Sequence, residues 1–255
     1  MKRQQLIALF DREQRIEIEY PDMIKEVLPH VIRFRRPAPG MNFILYSQLN
    51  EDNVEGIIDE QLADMRQFNQ PYEWKVYAHD QPADLKDRLV AKGFSLEEPE
   101  AVMLMELKKT PASLLKPPSV EVKTIEHRDQ LGDVVAILEK VWGGSFEWVY
   151  GRLGDHLEIP GYVKVYVAYS AGQAACTGWI IFNPNSQIAS LWGGSTIPEL
   201  RGQGLYSAVL AMRVQEAHRR NYRYLTMDAS PMSQPILEHH GFEVLTYATG
   251  CKWED

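Results

Sequence analysis

The residues Pro198-Glu199-Leu200-Arg201-Gly202-Gln203-Gly204-Leu205-Tyr206-Ser207-Ala208 combine the features needed to hold an anion. A β-rich run precedes them and an amphipathic helical pattern follows. The free N–H groups of a helix's first turn, with the positive end of its dipole, form a ready anion site. Gly202 and Gly204 remove side chains that would block a phosphate, and Arg201 adds a cation. A diphosphate is the natural occupant. Two other readings use the same residues. One is a plain surface turn, where glycine is common. The other is a dinucleotide loop, because Gly202-Gln203-Gly204 begins a G-x-G-x-x-G pattern, with Asp228 placed as a ribose-binding acid. Ser207 occupies the third glycine position, and the strand ends before Pro198. The dinucleotide reading is therefore the weaker.

The elements that must position this loop follow from hydrophobic spacing. Strands are expected over 120–124, 163–169, 174–182, 187–196, 222–227 and 242–247, with a hairpin at 170–173 around Gly172. Helices are expected over 131–142, 146–157 and 204–219. A last helix is expected to start at Ser230 as N-cap with Pro231 at its first position, and to stop at Gly241. The order is β-α-α-β-β-β-α-β-α-β. Upstream, 6–10 reads as helix and 31–35 as strand. Pro111, Pro117 and Pro118 mark 111–118 as a linker between a domain over 1–110 and one over 119–255.

A shift of 148 positions aligns the two halves. Glu51 meets Glu199, Gly56 meets Gly204, Leu62 meets Leu210, and Ala63 meets Ala211. Asp80 meets Asp228, Leu89 meets Leu237, Gly93 meets Gly241, and Phe94 meets Phe242. Both copies parse as strand, helix, strand, helix, Gly-Phe, strand, which reads as a duplicated unit. Asn53, Val54 and Glu55 replace Arg201, Gly202 and Gln203 in the first copy. The cation is gone and acids would repel a diphosphate, so the first half is expected to bind none.

Composition bounds the partners. The chain has 255 residues, 45% of them hydrophobic, enough for a buried core throughout. A net charge of −8 argues against nucleic acid and leans towards a cationic partner. No apolar run is long enough to span a bilayer, and no secretory leader is expected, because Asp11 interrupts the apolar stretch of 6–10. Two cysteines, Cys176 and Cys251, lack disulfide or metal-site spacing; no metal is expected, and a reducing cytoplasm fits.

Residues 196–206 resemble the coenzyme A motif of the GNAT acetyltransferases, Q/R-x-x-G-x-G/A. Arg201 and Gly204 match, and Tyr206 departs where Gly or Ala is usual. The element order after Pro118 and the pair Gly241-Phe242 also resemble that family, over about half the chain. The first half looks like a degenerate copy, as in tandem GNAT proteins. The resemblance implies an α/β fold of two tandem GNAT-like mixed-sheet halves, with acetyl-CoA as cosubstrate and a small-molecule or peptide amine as acceptor. It implies that Gly194, Ser195 and Thr196 bond the pantetheine arm like an added strand. The N–H groups of Gly202, Gln203, Gly204, Leu205, Tyr206 and Ser207 would hold the diphosphate. The strand over 222–227 should splay from 187–196, and amides near Gly193 and Gly194 would steady the oxyanion.

The catalytic acid and base stay open. Leu237 stands where many GNAT enzymes carry a Tyr acid. Glu147, Asp228 and Ser233 are weak candidates; Ser230 reads first as a helix cap, and Ser233 equally as a small packing residue. Glu147, Asp155, His156 and Glu158 would wall an acceptor site, or form a solvated helix face. Trp142, Trp148, Trp179 and Trp192 are expected mainly as packing. His239 and His240 suit a helix end, and Cys176 has no base beside it. A non-catalytic acyl-CoA-binding or regulatory module is the rival reading.

Overall fold

The computed structural model describes residues 2–37, 40–68 and 70–254. α1 (Arg3–Phe10) runs into a π-helical turn (Asp11–Ile16). There follow β1 (Ile24–Val27), β2 (Val31–Arg35), β3 (Asn42–Ser47), α2 (Val54–Phe68), β4 (Tyr72–Tyr77), α3 (Leu85–Ala91), β5 (Ser95–Leu96) and β6 (Glu100–Glu106). Next come β7 (Val122–Ile125), α4 (Gly132–Trp142), α5 (Trp148–Glu158), β8 (Val163–Ser170) and β9 (Gln173–Ile181). The chain ends through β10 (Ile188–Thr196), α6 (Leu205–Arg219), β11 (Tyr224–Ala229), α7 (Gln234–His239) and β12 (Glu243–Trp253). The order expected after Pro118 is the order observed. The β8–β9 hairpin turns on Ala171 and Gly172, both with positive φ, as a two-residue turn between twisted strands requires. No helix among the described residues is long and apolar enough to cross a membrane.

The chain forms two compact units whose segments interleave. The first holds Met1–Met103, Asp228–Ile236 and Val244–Asp255; the second holds Leu104–Met227 and Leu237–Glu243. In the first, β1, β2 and β3 pair antiparallel in turn, β3 pairs β4 in parallel, and β4 pairs β12 antiparallel. Its core joins Ile58, Leu62 and Met65 of α2 to Trp74, Leu89 and Phe94, and β12 adds Cys251 and Trp253. In the second, β7, β8, β9 and β10 pair antiparallel in turn, and β10 pairs β11 in parallel. Its apolar cluster includes Leu131, Val134 and Leu138 from α4, Val149 and Leu153 from α5, and Val165 and Val167 from β8.

Each unit thus carries a parallel strand pair bridged by one helix, the connection that parallel strands need. The 148-residue offset is visible in detail. Gly93 and Gly241 both have positive φ, +100° and +88°, and Phe94 and Phe242 are both buried. Asp80 and Asp228 differ in partner: Asp80 takes both its oxygens to the buried Arg15, at 2.8 Å each, whereas Asp228 pairs with Lys75.

Two local expectations are corrected. α7 begins at Gln234, a turn later than Ser230 suggested, because Pro235 must stand in the first turn of any helix that contains it. Ser230 still caps the turn that leads into α7, its hydroxyl accepting from the N–H of Ser233 at 3.4 Å and its carbonyl from the N–H of Gln234 at 2.9 Å. β12 continues to Trp253, well beyond 247, since its far end pairs along β4.

Candidate functional site

β10 reaches the glycine loop with one edge open. It pairs with β11 at Ile188↔Tyr224, Ala189↔Leu225 and Ser190↔Thr226, and runs on to Thr196. On its other edge β10 stays with β9, through Ser195↔Thr177 and Thr196↔Cys176. A 3₁₀ turn (Pro198–Leu200) then leads to Arg201, whose Nε donates to the Thr196 carbonyl at 3.3 Å. Gly202 and Gly204 both take φ +77°, a region that L side chains strain to enter. A Cβ built on either would meet no heavy atom within 4 Å, so the outer face of the loop is open. The glycines therefore serve the turn as well as clearance. Gly204 is the N-cap of α6, and no acidic side chain occupies that helix's first turn.

Within this stretch, Gln203 Oε1 accepts from Ser170 Oγ at 3.0 Å, and Leu205 is buried. Ser207 Oγ lies 3.0 Å from His240 Nε2, a contact no local sequence pattern announces. Burial and the neighbouring His239 lower the His240 pKa, favouring the neutral ring. The corresponding start of α2 is built differently. Asn50 Oδ1 accepts from the N–H groups of Asp52 and Asn53, at 2.9 and 3.1 Å, and Asn53 Oδ1 accepts from Asn50 at 2.8 Å. Glu51 and Glu55 pair with Arg88, and Val54 is fully buried. Side chains close that helix end with acids around it.

β10 contains a bulge on the edge it shares with β9. Trp192 pairs Trp179 and Ser195 pairs Thr177, so Gly193 and Gly194 together face Gly178. Gly193 has φ +63°, and a Cβ there would lie 1.8 Å from the Trp179 ring. Only glycine fits. A Cβ on Gly194 would lie 3.0 Å from Tyr206 Cε2, and one on Gly178 would lie 3.0 Å from Arg213 Nη1. Tyr206, the departure from the motif, thus turns inward against the bulge. Beside it, Arg213 is 0% exposed, its Nε donating to the Val209 carbonyl at 3.3 Å and Nη1 to the Trp192 carbonyl at 3.5 Å. Arg213 Nη2 and the Tyr206 hydroxyl are buried beside one another, and neither makes a well-formed hydrogen bond to any other group. Burial raises the Tyr206 pKa, against the pull of the Arg213 charge.

The catalytic candidates fall in different units. Glu147 is exposed at the N-cap of α5 in the second unit, whereas Asp228 and Ser233 belong to the first. Asp228 is held by Lys75 at 2.5 Å, and Ser233 Oγ bonds the Ser230 hydroxyl and carbonyl, at 3.1 and 3.2 Å. Asp155 and Glu158 pair with Arg128 on the surface, and His156 is buried edge-on to Tyr162. Leu237 is 0% exposed, so α7 offers no phenol there. Burial pushes the Cys176 thiol up to about 11. Of the four tryptophans expected as packing, only Trp179 joins the core; Trp142, Trp148 and Trp192 are 63%, 50% and 44% exposed. Trp142 Nε1 donates to Ser195 Oγ at 3.0 Å, which ties the end of α4 to β10.

No family model matches the sequence, and no curated protein matches it. Solved structures do match. A GCN5-related N-acetyltransferase from Kribbella flavida aligns with a TM-score of 0.70 and 11% identity, over 98% of this chain and 93% of that one. A conserved protein from Staphylococcus epidermidis, described as functionally unknown, gives 0.67 and 14%, over 94% and 98%. A tandem GNAT protein from the clavulanic acid biosynthesis pathway gives 0.62 and 11%, over 94% and 86%. Likeness at such low identity is likeness of backbone, and over nearly its whole length this chain has the GNAT fold.

Proposed function

We propose that the second unit transfers an acetyl group from acetyl-CoA to an amine carried by a small molecule or peptide. The observation that carries this reading is one juxtaposition: the acid-free start of α6 follows directly on a strand whose outer edge, among the described residues, has no strand partner beyond Ser190. The first turn would hold a diphosphate on main-chain N–H groups from Gly202 to Ser207, with Arg201 adding charge. The edge at Gly194, Ser195 and Thr196 would receive an extended amide-bearing arm. Bound acetyl-CoA supplies the activated acyl group. Amides at Gly193 and Gly194 would face the charge that grows on its carbonyl oxygen. The fold supports acyl transfer in general terms, since structural neighbours such as the one from Kribbella flavida are N-acetyltransferases by name.

A second reading has its own observation. Buried Leu237 replaces the usual phenol and Asp228 is committed to Lys75, which suits a module that binds acyl-CoA without turnover. Calorimetric titration with acetyl-CoA, CoA and NAD, followed by an amine panel with labelled acetyl-CoA, separates these possibilities. We expect acetyl-CoA to bind in preference to NAD. Arg201→Glu should weaken it by about tenfold or more, the ~1.4 kcal/mol of one charge-assisted contact. Unchanged affinity in Arg201→Glu combined with Gly204→Val would end the assignment. Tight binding without transfer to any amine would favour the binding module.

A further inference from the structure

Arg213 is a buried cation that the fold takes unusual trouble to house. Among the described residues no carboxylate pairs with it, and its Nη2 makes no well-formed hydrogen bond, lying beside only the neutral Tyr206 hydroxyl. A buried charge without a counter-ion costs several kcal/mol, and a packed apolar side chain of similar volume would spare the fold that cost. Room for the guanidinium is made by glycine on two strands, since side chains at Gly178 and Gly194 would press on Arg213 or Tyr206. Its Nη1 reaches the Trp192 carbonyl, at the bulge that presents Gly193.

A carbonyl oxygen and the following N–H belong to one conjugated, planar peptide, and in the trans form they point to opposite sides. A cation at the oxygen draws density from the nitrogen and makes the N–H a stronger donor, the polarisation that strengthens chains of hydrogen bonds. We propose that Arg213 is a positioning residue for the thioester. Its guanidinium fixes and polarises the peptide between Trp192 and Gly193, so that the Gly193 N–H polarises a thioester carbonyl lying along β10. This rests on the acetyl-CoA reading above and adds to it a charge placed one peptide behind the reacting bond.

The test uses the full chain with acetyl-CoA labelled with ¹³C at the carbonyl, read by isotope-edited difference infrared spectroscopy. In the wild type the bound carbonyl band should lie below that of free acetyl-CoA. Arg213→Met should move it back towards the free value while acetyl-CoA affinity changes by less than about tenfold. Gly178→Ala keeps the arginine and presses on it and on Val209, so it carries the test if Arg213→Met does not fold; a smaller shift in the same direction is expected. Once an acceptor is found, both variants should lower kcat with KM for acetyl-CoA held. A band at the wild-type frequency in every folded variant overturns the role of Arg213 and leaves the cofactor reading intact. Failure of acetyl-CoA to bind the wild type would instead overturn that reading.

Discussion

At the scale of single residues, glycine and histidine carry the sharpest expectations. Gly193→Ala sets a methyl into the Trp179 ring at a backbone angle that favours glycine. The bulge must then rearrange, at a cost of about 1–3 kcal/mol. Thermal melting should show the loss, and a variant as stable as the wild type would mean that Trp179 is free to move. His240 sets a pH dependence. Its folded pKa lies below the ordinary value because burial and His239 disfavour the charged ring. The unfolded chain therefore takes up the proton first as pH falls, and stability present above the ordinary histidine value is lost below it. Melting between about pH 7.5 and about pH 5.5 should fall more steeply in the wild type than in His240→Gln. Equal slopes would remove His240 from the account. The loop glycines were legible from type and spacing alone. Arg213 was not, for it reads as an ordinary helix cation until it is found fully buried, bonded to the carbonyls of Val209 and Trp192 and set against Gly178.

At the scale of elements, α6 and α2 show how one repeat yields opposite helix starts. The substitutions Arg201/Asn53 and Gly202/Val54 announced the difference, and the structure adds its cause in the Asn50–Asn53 cap. The proline-rich stretch was less legible. Prolines predicted a break, yet the segment forms two single turns (Leu107–Lys109 and Ala112–Leu115) and is docked on α6. Gln215 Nε2 donates to the carbonyls of Leu114 and Lys116, at 2.9 and 2.8 Å, from about a hundred residues downstream. No local pattern encodes a bond of that span. Gln215→Ala should cost about 1–2 kcal/mol and speed proteolytic cleavage within 108–118. Cleavage at the wild-type rate would show that burial of Leu114 alone holds the segment.

At the scale of the molecule, the hydrophobic pattern and the 148-residue repeat were enough to expect two α/β units. They did not reveal which core takes the last strand, because alternation fixes the face of a strand and leaves its neighbour open. Trp253 lies in one cluster with Trp74 and Ile58, so Trp253→Ala should destabilise by about 3–5 kcal/mol. Amide exchange should accelerate in α2, β3 and β4. Acceleration confined to β8, β9 and β10 would place β12 with the other core.

That interleaving bears on how the protein is made. β4 emerges from the ribosome early, while the strand that covers its edge is encoded far downstream. At ~5–20 residues per second, translation from Met103 to Val244 takes roughly 7–30 s. Throughout that interval the nascent first unit holds an open, apolar strand edge, a template for pairing with other chains. Its completion therefore has to wait for β12, and a chaperone that shields β4 during synthesis should raise the yield of native protein.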